Sequence, residues 1–273
     1  MVLEGMIKPF AAEKRPFELF FLGIIFSSVA IVLSLFIFSP YSSIVSISLT
    51  AIVCVPIIYG VIKMEERKSL EIDKELVLVK AHGRALLFFM FLFLGFVMSF
   101  SMWYVFLPEH YVSEVFSVQT ETINSVTGVS DVTGNVVSPV KVINQLIVHN
   151  TKVLLFCLLF AFFYGFGAIF ILTWNASVVG AAIGDVIRSS AGSSFISGIS
   201  VGMFRYLVHG IPEIAAYFTA GLAGGIISIA VINHDYTSPH FRNILKDSTG
   251  LILLSVGLII AAAILEVYVS PLV

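Results

Sequence analysis

Three side chains that can carry charge lie close together in the most apolar half of the chain. The stretch RYLVHGIPEIAAY holds Arg205, His209 and Glu213. At about 100° per residue, Gly198, Gly202, Arg205 and His209 share one stripe of a short helix. By the low estimates, the free energy of placing such a group at the centre of a membrane is unfavourable by ~2.5–3.5 kcal/mol. A compensating partner or a function is therefore expected.

Stop and restart signals for a helix separate His209 from Glu213. Gly210 suits the position just past a helix end, and Pro212 suits the first position of the next helix. We therefore predict an interruption of the helix at residues 210–212. Freed backbone groups inside a membrane must be satisfied by protein or water, so a broken helix usually lines a buried site or a cavity.

Two interpretations of this polar cluster remain open. In the first, Glu213 accepts from Arg205 or from the amides of the new helix start, and the cluster is a structural clasp. In the second, Glu213 is a ligand or relay for a small cation or proton, assisted by His209, Asn175 and Asp185. The sequence does not decide whether a metal ion binds there.

Enzymatic chemistry is not predicted. Neither a nucleophile motif, nor HExxH, nor a phosphate-binding glycine loop accompanies the cluster, so we expect no catalytic residues and no cofactor. His234, Asp235, His240 and Asp247 lack the close spacing of metal ligands, and we interpret them as part of a solvated loop.

The elements that position these residues are membrane-spanning helices. Hydrophobic residues make up 58% of the chain and charged residues 12%, with a mean hydropathy of +1.02, which is more apolar surface than a core of this size can hide. A hydrocarbon layer of ~30 Å needs roughly 20 apolar residues in helical form. The predicted fold is an all-α polytopic transmembrane bundle, and its spans are residues 17–38, 44–62, 85–107, 153–173, 214–232 and 251–267.

The chain between the fourth and fifth of these spans can be arranged in two ways. If residues 195–209 cross the membrane, there are seven crossings, one of them short, and residues 175–187 form a half-helix. If residues 175–209 instead dip in and out as a re-entrant hairpin, there are six crossings and a cytoplasmic C-terminus. We favour the first arrangement.

Basic residues indicate the orientation and the division of the chain. Lys and Arg are frequent before the first span and within residues 63–84, whereas residues 108–149 hold Lys141 as a single basic residue. The positive-inside rule then predicts a multi-pass protein of the cell membrane with a cytoplasmic N-terminus. Three regions follow: a three-span region at 1–107 with a charged cytoplasmic helical hairpin at 63–84, an extracytoplasmic segment at 108–149, and a glycine-rich bundle at 150–273. The acidic bias of the segment 108–149 could attract cations to an entrance, but we favour a solvated loop. Its last part, with Ser138 as N-cap and Pro139 in the first turn, predicts the start of a helix that leads into the fourth span.

Glycines at helical spacing predict close helix crossings in the C-terminal region. Three GxxxG patterns occur there, formed by Gly180 with Gly184, Gly198 with Gly202, and Gly221 with Gly225. The same faces could hold a second copy of the chain or another membrane protein.

Two stretches resemble the stage II sporulation protein M family of multi-spanning membrane proteins. They are FYGFGAIFILTWNASVVGAAIG at residues 163–184 and HGIPEIAAYFTAGLAGG at residues 209–225, and the resemblance covers roughly residues 150–232. It rests on an HGxxE element and an upstream N-x-x-x-x-G, and on these residues: Gly165, Gly167, Asn175, Gly180, Gly184, His209, Gly210, Glu213, Ala216, Gly221 and Gly224. In spore-forming bacteria the name-giving member belongs to a membrane complex that drives peptidoglycan remodelling. The resemblance implies a shared fold and a shared intramembrane polar cluster.

Two functions from different classes follow from these observations. The first is a channel or transporter for small cations or protons that uses Asn175, Asp185, Arg205, His209 and Glu213. The second is a non-catalytic scaffold subunit of a larger membrane complex. The expected partners are the lipid bilayer, a small cation or proton, and either a second copy of the chain or another membrane protein, whereas nucleic acid is not expected.

Overall fold

Helices account for the whole architecture of the described chain. The computed structural model describes residues 16–69, 78–131, 139–164, 167–189, 195–233 and 238–270, and contains no strand within those ranges. Their helices, in chain order, are α1 (Pro16–Ile37), α2 (Ser42–Ser69), α3 (Leu78–Phe106), α4 (Glu109–Val115), α5 (Ser117–Asp131), α6 (Pro139–Tyr164), α7 (Ala168–Ser189), α8 (Phe195–Asn233) and α9 (Pro239–Tyr268).

Seven of the described helices are long and apolar enough to cross a membrane, namely α1, α2, α3, α6, α7, α8 and α9. In α8 the apolar part is Gly210–Asn233. The prediction of an all-α polytopic bundle is thereby confirmed. The first three spans also overlap the predicted runs, with ends that differ by up to seven residues, since each combines a long apolar stretch with polar flanks.

The fourth predicted span is wrong, because its residues belong to two helices. α6 ends at Tyr164 and α7 begins at Ala168. A Cβ atom added at Gly167 would collide with the carbonyl group of Phe160, so the chain can turn this closely only with glycine there. Residues 175–187 are consequently the second part of a 22-residue helix and not a half-helix.

The predicted interruption at residues 210–212 is also wrong. α8 runs without a break for 39 residues and contains Pro212 in its interior. A proline removes one backbone hydrogen bond and tends to kink a helix, but neighbouring helices in a membrane protein can compensate for that loss. The membrane-length part of α8 is 83% buried, so α8 has such neighbours on nearly all sides.

Glycines set the distance between α7 and α3. A Cβ atom added at Gly180 would lie 2.7 Å from Cβ of Phe100, and one added at Gly184 would lie 2.6 Å from Cβ of Tyr104. Because real Cβ atoms do not come that close, both positions require glycine at this separation of the helices.

Other glycines of the three GxxxG patterns lie on α8. A Cβ atom added at Gly221 would lie 2.9 Å from Cβ of Ala168 at the start of α7. Gly225 is buried in the bundle. The packing around Gly198 and Gly202 lies outside the described residues.

The segment that follows α3 is more ordered than a solvated loop. It forms α4 and α5, and Val115, Phe116 and Gln119 are buried there. The Gln119 amide donates from Nε2 to Ser177 Oγ of α7 at 3.2 Å and accepts from Ser43 Oγ of α2 at 2.7 Å. This polar bridge fastens α5 to two spans, so the interpretation of a solvated loop is wrong for these residues.

Candidate functional site

Two groups of polar side chains lie at opposite ends of the bundle. The histidine cluster consists of Glu65, His82 and Asp247, and the tyrosine cluster is centred on Glu213 and Tyr217 and includes Glu266. With a rise of about 1.5 Å per residue, Asp247 and Glu266 of α9 are separated by about 28 Å along the helix. The two clusters are therefore almost a membrane thickness apart.

His82 lies between two carboxylates that come from different helices. Its Nδ1 atom is 2.5 Å from Glu65 Oε2 on α2, and its Nε2 atom is 2.8 Å from Asp247 Oδ2 on α9. The side chains of His82 and Glu65 are 0% exposed and that of Asp247 is 6% exposed. Lys68 Nζ donates to the second oxygen of Glu65. Three spans therefore meet at one buried, hydrogen-bonded set of ionisable groups.

Helical periodicity explains why these polar residues face inwards. In α3, His82 precedes Ala85 and Phe88 on the buried face. In α9, Asp247 follows Ile244 and precedes Leu251 on the buried face. Steps of three or four residues keep each polar residue on the same side of its helix as the apolar ones.

The geometry of the histidine cluster fixes how many protons it holds. A neutral imidazole has one N–H donor and one lone pair, and an ionised carboxylate has only acceptors. Since both ring nitrogens of His82 face a carboxylate oxygen, each of the two contacts must contain one hydrogen. Whichever atoms carry these protons, the three groups together bear one negative charge, which the ammonium group of Lys68 offsets.

The tyrosine cluster lies where α6, α8 and α9 converge. Tyr217 is 1% exposed, and its hydroxyl donates to Glu213 Oε1 at 2.7 Å. Cys157 of α6 and Glu266 of α9 lie near Tyr217, and His149 lies near Glu266. Two carboxyl groups, Glu213 and Glu266, are thus held near one buried hydroxyl.

The remaining residues of the predicted cluster have other surroundings. Asn175 donates from Nδ2 to the Ile171 carbonyl of its own helix at 2.8 Å. Asp185 is exposed at the end of α7 and accepts from the Tyr104 hydroxyl at 3.2 Å. Asp185 is therefore tied to α3, whereas Glu213 is bound within α8.

Arg188 strengthens the contact of α7 with the end of α3. Its Nη1 atom donates to the carbonyl oxygens of Tyr104 at 3.1 Å and of Leu107 at 3.0 Å. Carbonyl groups at a helix C-terminus lack partners in their own helix, so this guanidinium satisfies two of them. The side chains of Arg205 and His209 lie outside the described part of the structure, and the role predicted for them stays a prediction.

A metal site does not emerge among the described residues. No group of three His, Cys, Asp or Glu side chains in those ranges is arranged to hold a metal ion. In the histidine cluster the reason is geometric, because the imidazole ring of His82 separates the carboxylates of Glu65 and Asp247 and the three groups do not converge on one point.

The sequence did not reveal the histidine cluster. The sequence predicts a solvated hairpin at residues 63–84 and a solvated loop around Asp247, and both predictions are wrong for these residues, since Glu65, His82 and Asp247 are buried. The available signal was the inward position of His82 and Asp247 in the apolar periodicity of their helices. This periodicity shows which side of one helix is buried. It does not show that Glu65, His82 and Asp247, on three different spans, contact each other, because that depends on tertiary structure.

The bundle and its two buried polar clusters define a polytopic α-helical membrane protein with ionisable groups near both ends of its spans. Within that class, residues 19–271 match the family described as Stage II sporulation protein M, and the chain belongs to this family. The match extends far beyond the residues 150–232 on which the resemblance rested. Comparisons with curated proteins and with solved structures found no match.

Proposed function

We propose that this protein is a channel or transporter that passes protons or other small cations across the cell membrane. The observation that carries the proposal is the tyrosine cluster, in which the buried Tyr217 donates to Glu213 and a neighbouring span brings Glu266 near the same tyrosine. Ionisable residues within membrane spans are costly, and they commonly mark ion pathways and proton relays.

A purely structural role explains this cluster poorly. Ionisable carboxyl groups near a buried hydroxyl are costly to keep inside a membrane, and apolar packing could replace such buried polar contacts at little cost in stability. A cation that binds near Tyr217 gains from the negative charge of an ionised Glu213 or Glu266. The acidic arrangement is therefore better suited to attracting a cation than to holding helices together.

The surface charges support one orientation. Lys63, Arg67, Arg84, Arg242 and Lys246 are exposed at the end of the bundle that holds the histidine cluster. The positive-inside rule favours the cytoplasm for this end and the outside for the tyrosine cluster. With seven spans in sequence, the N-terminus is then cytoplasmic and the C-terminus is outside.

A flux screen with reconstituted protein tests the proposal. Purified protein in liposomes is exposed in turn to gradients of protons, Na⁺, K⁺, Ca²⁺ and Mg²⁺, and we expect flux of at least one of them. Glu213→Gln should abolish this flux while the protein remains folded. Glu121→Gln is the matched control, because Glu121 is exposed on α5. A wild-type protein that passes none of the five cations contradicts the proposal.

A scaffold function is the second candidate, and one observation favours it. A pocket within the bundle is lined by apolar residues, among them Ile58, Ile62, Phe89, Leu172, Phe218 and Leu222. Apolar walls there are suited to a sealed bundle that holds partners in a membrane complex. For this function, affinity capture from native membranes should recover a stoichiometric partner or a second copy of the chain, and Glu213→Gln should lower thermal stability without changing ion flux.

A further inference from the structure

The geometry points to a proton relay in which His82 passes a proton between Glu65 and Asp247 at the basic end of the bundle. This inference rests on the proposed function and deepens it, because it names the proton as an ion that this end of the protein handles. The relay consists of Glu65, His82 and Asp247, whereas the proposed function depends on the tyrosine cluster, so the two proposals rest on different residues.

The contacts of His82 are those that a relay requires. Each ring nitrogen has its own carboxylate, Glu65 Oε2 at 2.5 Å from Nδ1 and Asp247 Oδ2 at 2.8 Å from Nε2. Proton transfer needs heavy atoms at hydrogen-bond distance, and both contacts satisfy this condition. Imidazole is the side chain that can accept a proton on one nitrogen while it donates from the other.

The transfer balances in atoms and charge. The O–H bond of a protonated Glu65 breaks as an N–H bond forms at Nδ1 of His82. The N–H bond at Nε2 breaks as an O–H bond forms on Asp247. The imidazole is neutral before and after the step, and one proton has moved from α2 to α9.

A second transfer in the same direction requires the imidazole to be reset. A half rotation about the Cβ–Cγ bond moves the remaining N–H, at Nδ1, to the side of the ring that faces Asp247. It moves the lone pair of Nε2 to the side that faces Glu65. Both contacts of His82 have to open for this rotation. Each transferred proton is therefore coupled to a transient release of α9 from the end of the α2–α3 pair.

Each end of the relay lies beside a group that can connect it to water. Glu65 binds Lys68, whose side chain is 32% exposed, so this end is close to the aqueous surface. Asp247 is followed by Ser248, which is 0% exposed and whose Oγ atom has no hydrogen-bond partner among the described residues. This buried hydroxyl, on the residue next to Asp247, can hydrogen-bond a water molecule that takes the proton from Asp247.

The other charged groups near the relay divide between the surface and the interior. Glu66 is a further buried carboxyl group next to Glu65, and Lys68 lies on the same helix. From α9, the exposed Lys246 precedes Asp247, and from α3 the exposed Arg84 follows His82. The cations are thus at the surface, and the carboxyl groups are inside with the imidazole.

The experiment combines proton flux with a direct observation of the ring. Full-length protein in liposomes is energised with a potassium diffusion potential, and proton uptake is followed with an entrapped dye. We expect His82→Gln to lower proton flux about 10-fold or more, because an amide can donate but cannot pass a proton on. Glu65→Gln and Asp247→Asn should do the same. His110→Gln is the control, because His110 is exposed on α4.

Nitrogen-15 NMR of histidine-labelled protein in lipid provides the second readout. We expect the wild-type spectrum to contain one histidine with both ring nitrogens in strong hydrogen bonds, and His82→Gln to remove that signal. Size-exclusion profiles and melting temperatures show which variants are folded, and Glu65→Gln preserves the shape of the site should His82→Gln fail to fold.

The outcomes separate this inference from the proposed function. Wild-type proton flux that His82→Gln and Glu65→Gln leave unchanged overturns the relay and leaves the proposed function intact, as does a wild-type protein that passes other cations but no protons. A wild-type protein that passes no cation at all overturns the proposed function as well. A spectrum in which every histidine has a ring nitrogen without a hydrogen bond overturns the relay independently of any flux.

Discussion

His82 Nε2 lies 2.8 Å from Asp247 Oδ2, although the two residues are 165 positions apart in the chain. This contact joins the third span to the last one, and Glu65 extends it to the second. The N-terminal three-span region and the C-terminal bundle are therefore fastened together at a buried polar site.

Removing the imidazole should destabilise the bundle. His82→Ala leaves Glu65 and Asp247 buried without their shared partner, and breaking a buried ionic contact costs about 3–5 kcal/mol. We expect a melting temperature several degrees below that of the wild type in detergent. His110→Ala, at an exposed position, should melt like the wild type. Equal melting temperatures for both variants show that the histidine cluster does not hold the three spans together.

A methyl group at the crossing of α7 and α3 should also destabilise the protein. In Gly180→Ala the new Cβ atom lies 2.7 Å from Cβ of Phe100 and 2.9 Å from the Val97 carbonyl oxygen, and overpacking of this kind costs about 1–3 kcal/mol. The matched control is Gly257→Ala in α9, where a Cβ atom meets nothing within 4 Å. Thermal unfolding should rank Gly180→Ala below the wild type and Gly257→Ala at or above it, since alanine is the better helix former. The opposite ranking contradicts the packing.

The bridge made by Gln119 should hold α5 against the spans. Gln119→Ala removes the hydrogen bonds to Ser43 and Ser177, and leaves two buried hydroxyl groups without this partner. We expect faster amide hydrogen exchange in α4 and α5 in this variant. Gln145→Ala provides a control at an exposed position of α6. Unchanged exchange in α4 and α5 shows that the bridge does not hold them.

Two tyrosines distinguish the roles of Glu213 and Asp185. Tyr217→Phe removes a hydrogen bond to Glu213, and a bond to a charged group contributes about 1.5–3 kcal/mol, so cation flux should fall about 10-fold or more. Tyr104→Phe removes the corresponding bond to Asp185 and should leave the flux close to that of the wild type. Equal losses in both variants indicate that Asp185 belongs to the pathway after all.

Much of the fold could be predicted from composition and hydropathy, because a membrane span is a local property of about 20 residues. The division between α6 and α7 was missed, since the apolar run continues on both sides of Gly165 and Gly167. Pro212 was misinterpreted for a different reason. Its local preference for a helix start is overridden by the packing of α8 inside the bundle.

The candidate sites were predictable only in part. Glu213 was selected because a carboxylate stands out within an apolar run, and the structure adds Tyr217 and Glu266 beside it. Glu65 escaped notice because it lies among exposed Lys and Arg residues at the end of α2. Apolar residues at helical spacing mark the side of a helix that faces the bundle. A stretch composed mostly of charged residues has no such pattern, so the sequence does not show which of its members is buried.

Cation flux across liposomes tests most directly whether the tyrosine cluster lies on a cation pathway. The flux is measured under one gradient for the wild type, Glu213→Gln, Glu266→Gln and Glu121→Gln. The account predicts flux for the wild type and for Glu121→Gln, and its loss in both variants of the tyrosine cluster. Wild-type flux that survives in Glu213→Gln and Glu266→Gln, or a wild-type protein without flux for any of the cations, contradicts it.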